Sequence, residues 1–231
     1  MQASDIMTTK VVTVSADLKV DEIARVLLEK GISAVPVIDD NGTVLGIVSE
    51  GDLLRRHENQ TEKRHSSWLS LFTSSEDEAR EYSKTHGRTA AQVMTDNIVS
   101  VSEDTTVGDI AQLLEKRRIK RVPVLRDGKL VGIVSRANLL HGLAASKSSG
   151  PAAPSVDDRQ LRKNILAKLE HENWISHGAL NVIVTSGNVE LWGWVNSEDE
   201  RKALLIAVET VDGVASVEDH LGMVAPWVQG A

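Results

Sequence analysis

The stretch VPVIDDNGTVLGIVSEGDLL, from Val35 to Leu54, recurs as VPVLRDGKLVGIVSRANLL from Val122 to Leu140. The likeness extends further: Met7-Thr8 recurs as Met94-Thr95, Asp17 as Asp104, Ile23-Ala24 as Ile110-Ala111 and Ile32 as Ile119. The offset is 87 residues from Met7/Met94 to Val37/Val124 and 86 from Gly46/Gly132 onward, because DDNG shortens to RDG. A single loop deletion in a fixed register is the mark of a duplicated structural unit.

Each copy reads as strand, helix, strand, strand, helix. VVTV and IVSV are short β-rich runs. VDEIARVLLEKG carries apolar residues at 20, 23, 24, 27 and 28, a helical stripe closed by Gly31. AVPVIDDNGTVLGIVS predicts two strands joined at Asn-Gly, with RDGK serving the second copy. A last helix begins after Ser49 and after Ser135.

On these motifs each copy resembles a cystathionine-β-synthase (CBS) domain, and the tandem resembles a Bateman module. The resemblance implies an α/β (α+β) fold in which two CBS units pack about a pseudo-twofold axis and bind adenine nucleotides in the clefts between them. It also implies the site residues. Ribose contacts come from Ser49 and Asp52 in the first copy and from Ser135 and Asn138 in the second. Phosphate contacts come from the residues before the VPV strand and after the helix-start serine. These are Ser33, Ala34 and Glu50 in the first copy, and Lys120, Arg121 and Arg136 in the second. The two clefts are therefore unlike: one has a carboxylate and no cation, the other three cations and an amide. Ser-x-x-Asp is also the spacing of a helix cap, so the same atoms can serve both purposes. A helix end accounts for Lys116 and Arg117 as favourable dipole charges, but less well for Lys120 and Arg121 at the entry to a strand.

After SKSSGPAAPS, a linker by composition, the chain reads helix, hairpin, helix, strand. The helix DDRQLRKNILAKLEHE has apolar residues at 161, 165, 166 and 169, and the hairpin turns at Ser186-Gly187-Asn188. SGNVELWGWV and ERKALLIAVETVDGV make this region resemble a BON domain of order αββαβ, a family linked to envelopes and phospholipid. Alternation puts Val189, Leu191, Gly193 and Val195 under the helices, and Glu190, Trp192 and Trp194 with Ile183 on the opposite face. Ile183, Trp192 and Trp194 are the candidate surface for lipid or protein, or for burial against the CBS pair.

The expected domains are 1–57 and 90–145 (CBS), 58–89 (a helical insert with Trp68, Leu69, Leu71 and Phe72), 146–155 (linker), 156–222 (BON) and 223–231 (tail). There is no cysteine, and the seven histidines are scattered, so no metal site is expected. No catalytic constellation, phosphate loop or dinucleotide fingerprint occurs, so the expectation is a non-enzyme without a cofactor. From residue 151 onward, six basic residues face twelve acidic ones, which disfavours nucleic acid as a partner there. MQASDIMTTK lacks the apolar core of an export signal, so a cytoplasmic protein is expected. The reading is a regulatory sensor binding AMP, ADP or ATP, dimeric through its CBS helices, that relays occupancy to the BON domain. The alternative is an envelope adaptor with the CBS pair as dimerisation scaffold.

Overall fold

The computed structural model describes residues 1–54, 82–148, 154–172, 174–175 and 180–224. The aromatic cluster of Trp68, Leu69, Leu71 and Phe72 and most of the insert lie outside them. The first half of the chain orders α1 (Ala3–Ile6), β1 (Val14–Ser15), α2 (Val20–Lys30), β2 (Ala34–Ile38), β3 (Val44–Ser49) and α3 (Glu50–Leu54). The second copy follows as α4 (Ala90–Val93), β4 (Val101–Ser102), α5 (Val107–Lys116), β5 (Arg121–Arg126), β6 (Lys129–Ser135) and α6 (Arg136–Ser148). The C-terminal region is α7 (Val156–Glu170), β7 (Asn181–Thr185), β8 (Asn188–Val195), α8 (Glu198–Glu209) and β9 (Ser216–Met223).

The chain divides into two compact units, residues 12–98 with 128–130, and residues 1–11 with 99–127 and 131–231. In the first, β1 pairs parallel to β2, and β2 antiparallel to β3 with an irregularity between Val37 and Ile38. Helix α2 buries Ile23 and Leu27, the members of its stripe that face the sheet, and ends where Gly31 turns left-handed at φ 60°. The longer turn of this copy is organised by Asp39, whose Oδ1 accepts from the N–H groups of Asn41 and Thr43 at 2.9 and 2.8 Å. The shorter turn of the second copy needs none of this. Asp127 and Gly128 both have positive φ, 51° and 79°, as a two-residue type I′ hairpin turn requires.

The segments before each copy's first strand are exchanged. Ala3, Ile6 and Met7 lie in one cluster with Ile110, Leu114, Val122, Val124 and Val134 of the second copy. Ala90 and Val93 take the matching place beside Ile23, Leu27, Val35 and Val48 of the first. Thr8 exchanges both backbone hydrogen bonds with Ile133, at 3.0 and 2.9 Å, and Thr95 does so with Ile47. The methionines fit because a glycine faces each one: a Cβ on Gly132 would run into Met7, and one on Gly46 into Met94. Residues 1–11, read along the sequence as the start of the first domain, thus pack on the second copy.

In the C-terminal region β7 and β8 are antiparallel and β9 joins β8 in parallel, giving the order β7-β8-β9. The hairpin turns at Ser186 and Gly187, with φ 54° and 76°. One sheet face buries Val182, Val184, Val189, Leu191 and Val195 against Leu161, Ile165, Leu204 and Val208 of the two helices. The other face carries Ile183 into the cluster that holds Ile6, Met7 and Ile110.

Candidate functional site

In the second copy, the end of β6, the start of α6 and the start of β5 converge. Arg136 N–H donates to the Lys120 carbonyl at 3.1 Å, so these two residues are backbone neighbours although sixteen positions separate them in the chain. Arg121 follows Lys120 into β5, and Ser135 precedes Arg136. The three residues expected around phosphate are brought together beside Ser135, with Lys120 and Arg136 exposed and Arg121 half-buried. In the first copy Glu50 N–H donates to the Ser33 carbonyl at 3.0 Å, so the backbone is the same while the charge is not.

The helix-start residues form caps in both copies. Asp52 Oδ2 accepts from Ser49 N at 2.9 Å and from Ser49 Oγ at 2.6 Å. Asn138 Oδ1 accepts from Ser135 N at 2.8 Å and Ser135 Oγ at 2.6 Å. Asn138 goes further. Its Nδ2 donates to the Ile6 carbonyl at 3.0 Å and to Thr8 Oγ1 at 3.3 Å. An amide has two acceptor and two donor positions, and all four are filled on a side chain that is 4% exposed. In this arrangement Asn138 holds the N-terminal segment as well as the start of its own helix. The change from Asp52 to Asn138 supplies donors to an N-terminal segment, which a carboxylate could not do.

That segment, residues 5–8, is also gripped from the C-terminal region. Arg159 donates from Nε to Asp5 Oδ1 at 2.8 Å and from Nη2 to Asp5 Oδ2 at 3.3 Å. Gln2 N–H also donates to the Asp5 carboxylate, at 2.7 Å. Arg162 donates from Nη2 to the Met7 carbonyl and from Nε to the Val182 carbonyl, both at 2.7 Å. Burial lowers the Arg162 pKa to about 10, opposed by the Asp5 charge, so the group stays cationic at neutral pH. A path of hydrogen bonds therefore runs from Ser135 through Asn138, Ile6 and Met7 to Arg162 and β7. A cavity of about 460 Å³ adjoins the same segment, between residues 8–11 and α7, with Lys10, Lys163, Leu166 and Ile175 in its wall. Sequence reading missed Arg162. Its signal was its place on the apolar stripe, four residues after Asp158 and three before Ile165, all of them buried.

Of the two readings left open for the tryptophan face, burial against the CBS pair describes Ile183 and Trp192, and an open surface describes Trp194. Ile183 is 1% exposed, because the second CBS copy covers it. Trp192 is stacked between His141 of α6, at 4.7 Å between ring centroids, and His220 of β9, at 4.0 Å. Burial and the nearby His220 charge lower the pKa of His141. Only Trp194 remains at the surface, 58% exposed, with its ring over Gly222.

Comparison with known families matches residues 3–59 and 90–145 to the CBS domain and residues 157–225 to the BON domain. The chain belongs to the CBS-domain family and carries a C-terminal BON domain. Among its relatives, the chloroplastic CBS domain-containing protein CBSX2 of Arabidopsis thaliana is 34% identical over 137 residues, 55% of this chain and 56% of that protein. The chain thus spans little more than half of that relative. An uncharacterized protein of Methanocaldococcus jannaschii is 31% identical over 159 residues, 62% of this chain and 91% of its own length. The crystal structure of CBSX2 in complex with AMP superposes with a TM-score of 0.56 at 32% identity, covering 63% of this chain and 98% of that one. Among the described residues, no helix is long and apolar enough to cross a membrane.

Proposed function

We propose that this protein is a regulatory sensor that binds AMP, ADP or ATP at its second CBS copy and conveys occupancy to the BON domain. Lys120, Arg121 and Arg136 receive the phosphates, with Ser135 at the head of α6. Three cations joined through one strand entry and one helix start make a phosphate-binding cluster that the first copy, with Ser33 and Glu50, lacks. The AMP complex of CBSX2 supports the choice of ligand class. Ser49 and Asp52 form the ribose edge of the first copy, whose lack of cations suits an uncharged adenosyl group better than a polyphosphate.

The observation that carries the relay is Arg162, which joins a carbonyl of the CBS-docked segment to one of β7 through a single buried guanidinium. A ligand that shifts the start of α6 moves Asn138, and with it Ile6 and Met7. The guanidinium carries that displacement into the BON sheet. Leu28 and Leu140, 75% and 65% exposed on their helices, support a homodimer formed through CBS helices. The decisive comparison is AMP against adenosine. Arg121→Ala should weaken AMP at least tenfold and leave adenosine within twofold, by isothermal titration calorimetry. Equal losses for both would defeat the phosphate assignment. The adaptor alternative keeps only Trp194 as an open aromatic on the BON sheet, and is the weaker reading for that reason.

A further inference from the structure

The parallel pairing of β8 and β9 sets Glu190 directly opposite Glu218, and Trp192 opposite His220. Alternation puts all four on the sheet face away from α7 and α8. His220 Nε2 lies 3.5 Å from Glu218 Oε2 and 3.7 Å from Glu190 Oε2. One donor atom from each of the three residues falls within 4.8 Å of the others. A tetrahedral zinc ion with bonds near 2.1 Å separates its ligand atoms by about 3.4 Å, so small side-chain rotations close the set.

The electrostatics call for a cation at this place. Like charges directly opposed on neighbouring strands destabilise a sheet. Glu190 is 3% exposed, and among the described residues the one hydrogen bond to its carboxylate comes from Trp192 Nε1, at 3.1 Å. Among the described residues no lysine or arginine pairs with it. The surroundings are those of a supported metal ligand. The Trp192 N–H orients one carboxylate, and the Trp192 ring holds the imidazole in a stack at 15°. Glu218 and His220 keep 48% and 34% of their side chains exposed, leaving an entry path and a coordination position open to water.

We infer that Glu190, Glu218 and His220 form a binding site for a divalent transition-metal ion of the zinc type. Two carboxylates and one imidazole favour such an ion over magnesium or calcium, whose sites are built from oxygen alone. The site is distinct from the nucleotide cluster, and its existence does not depend on the sensor reading. No amino-acid spacing announces it, because its members come from two strands and only Glu218-x-His220 is local.

The test is calorimetric titration of zinc chloride into chelator-treated full-length protein, with magnesium chloride as comparison. One zinc ion per chain should bind, magnesium at least a hundredfold more weakly, and Glu218→Gln and His220→Gln should each weaken zinc at least tenfold. His171→Gln, at the exposed end of α7, should leave it unchanged. Cobalt(II) added to the unaltered protein should give intense visible bands of a four-coordinate ion at one equivalent, reversed by zinc. This readout holds even if a variant misfolds. No stoichiometric zinc binding, binding that survives both variants, or only the weak bands of six-coordinate cobalt would overturn the assignment.

Discussion

Replacing Asn138 by Asp would give the second copy the residue of the first, and the structure says that this exchange is costly. Asn138 Nδ2 donates to the Ile6 carbonyl at 3.0 Å and to Thr8 Oγ1 at 3.3 Å. The hydroxyl of Thr8 can rotate and donate to a carboxylate instead, so that contact survives. The Ile6 carbonyl has no such freedom and would face a carboxylate oxygen. Losing the partner of a buried acceptor costs about 1–3 kcal/mol, and repulsion at a 4%-exposed position adds to it. The two Ser135 contacts remain, and the helix N-terminus returns about 0.3–1 kcal/mol. The expected net loss is about 2–3 kcal/mol at pH 7. The loss should shrink as pH falls far enough to protonate the new carboxyl, which then donates to Ile6. Urea unfolding followed by circular dichroism measures the loss, and hydrogen exchange of residues 1–8 localises it. An Asn138→Asp protein that is as stable as the parent and binds AMP more tightly would refute the reasoning. It would show that this side chain faces ligand.

Arg162→Leu removes two charge-assisted hydrogen bonds and leaves two buried carbonyls unpartnered, for an expected loss of about 2–4 kcal/mol after the relief of burying a charge. Arg162→Lys should recover only part, since an ammonium lacks the planar fork that spans Met7 and Val182. Asp158 accepts from Ser155 N at 2.9 Å and from Gly187 N at 2.8 Å. Burial raises its pKa, but the hydrogen bonds from Ser155, Gly187 and Ser186 outweigh this and the net value is lowered. That stabilisation is complete above the unfolded value near 3.9 and is lost as pH falls through the lower folded value. An Asp158→Asn protein should therefore lie about 1–2 kcal/mol below the parent at pH 7, with the gap closing toward pH 2 in a melting series. Ile183→Ala should cost about 2–5 kcal/mol by opening a cavity against the second CBS copy, whereas Trp194→Ala should stay within about 0.5 kcal/mol.

Much of the fold is legible in the sequence, because the repeat carries its own register. The Gly31 cap, the Asp127-Gly128 turn and the Ser186-Gly187 turn follow from residues with a single conformational use. The strand alternation around Trp192 correctly separates the two faces of the BON sheet. The exchange of the N-terminal segments is not legible. Met7 and Met94 are identical in type, as are Gly132 and Gly46, so local pattern cannot say which methionine meets which glycine. The burial of Ile183 and Trp192 depends on a surface supplied by another domain, for which no periodicity exists. Among the site residues, the cations at 120, 121 and 136 could be named because two of them sit beside fixed strand and helix boundaries. Asn138 was visible as a departure from Asp52, but its cause lay at Ile6, 132 positions away.

The central claim is that a nucleotide at the second CBS copy is felt in the BON domain through residues 5–8 and Arg162. Hydrogen exchange of the full-length protein with and without AMP tests it directly. The account predicts altered exchange in residues 1–8, in α7 and in β7 on adding AMP, with the α7 and β7 change lost in Arg162→Leu while AMP still binds. AMP binding that protects the CBS copy and leaves α7 and β7 unchanged in the parent protein would contradict it.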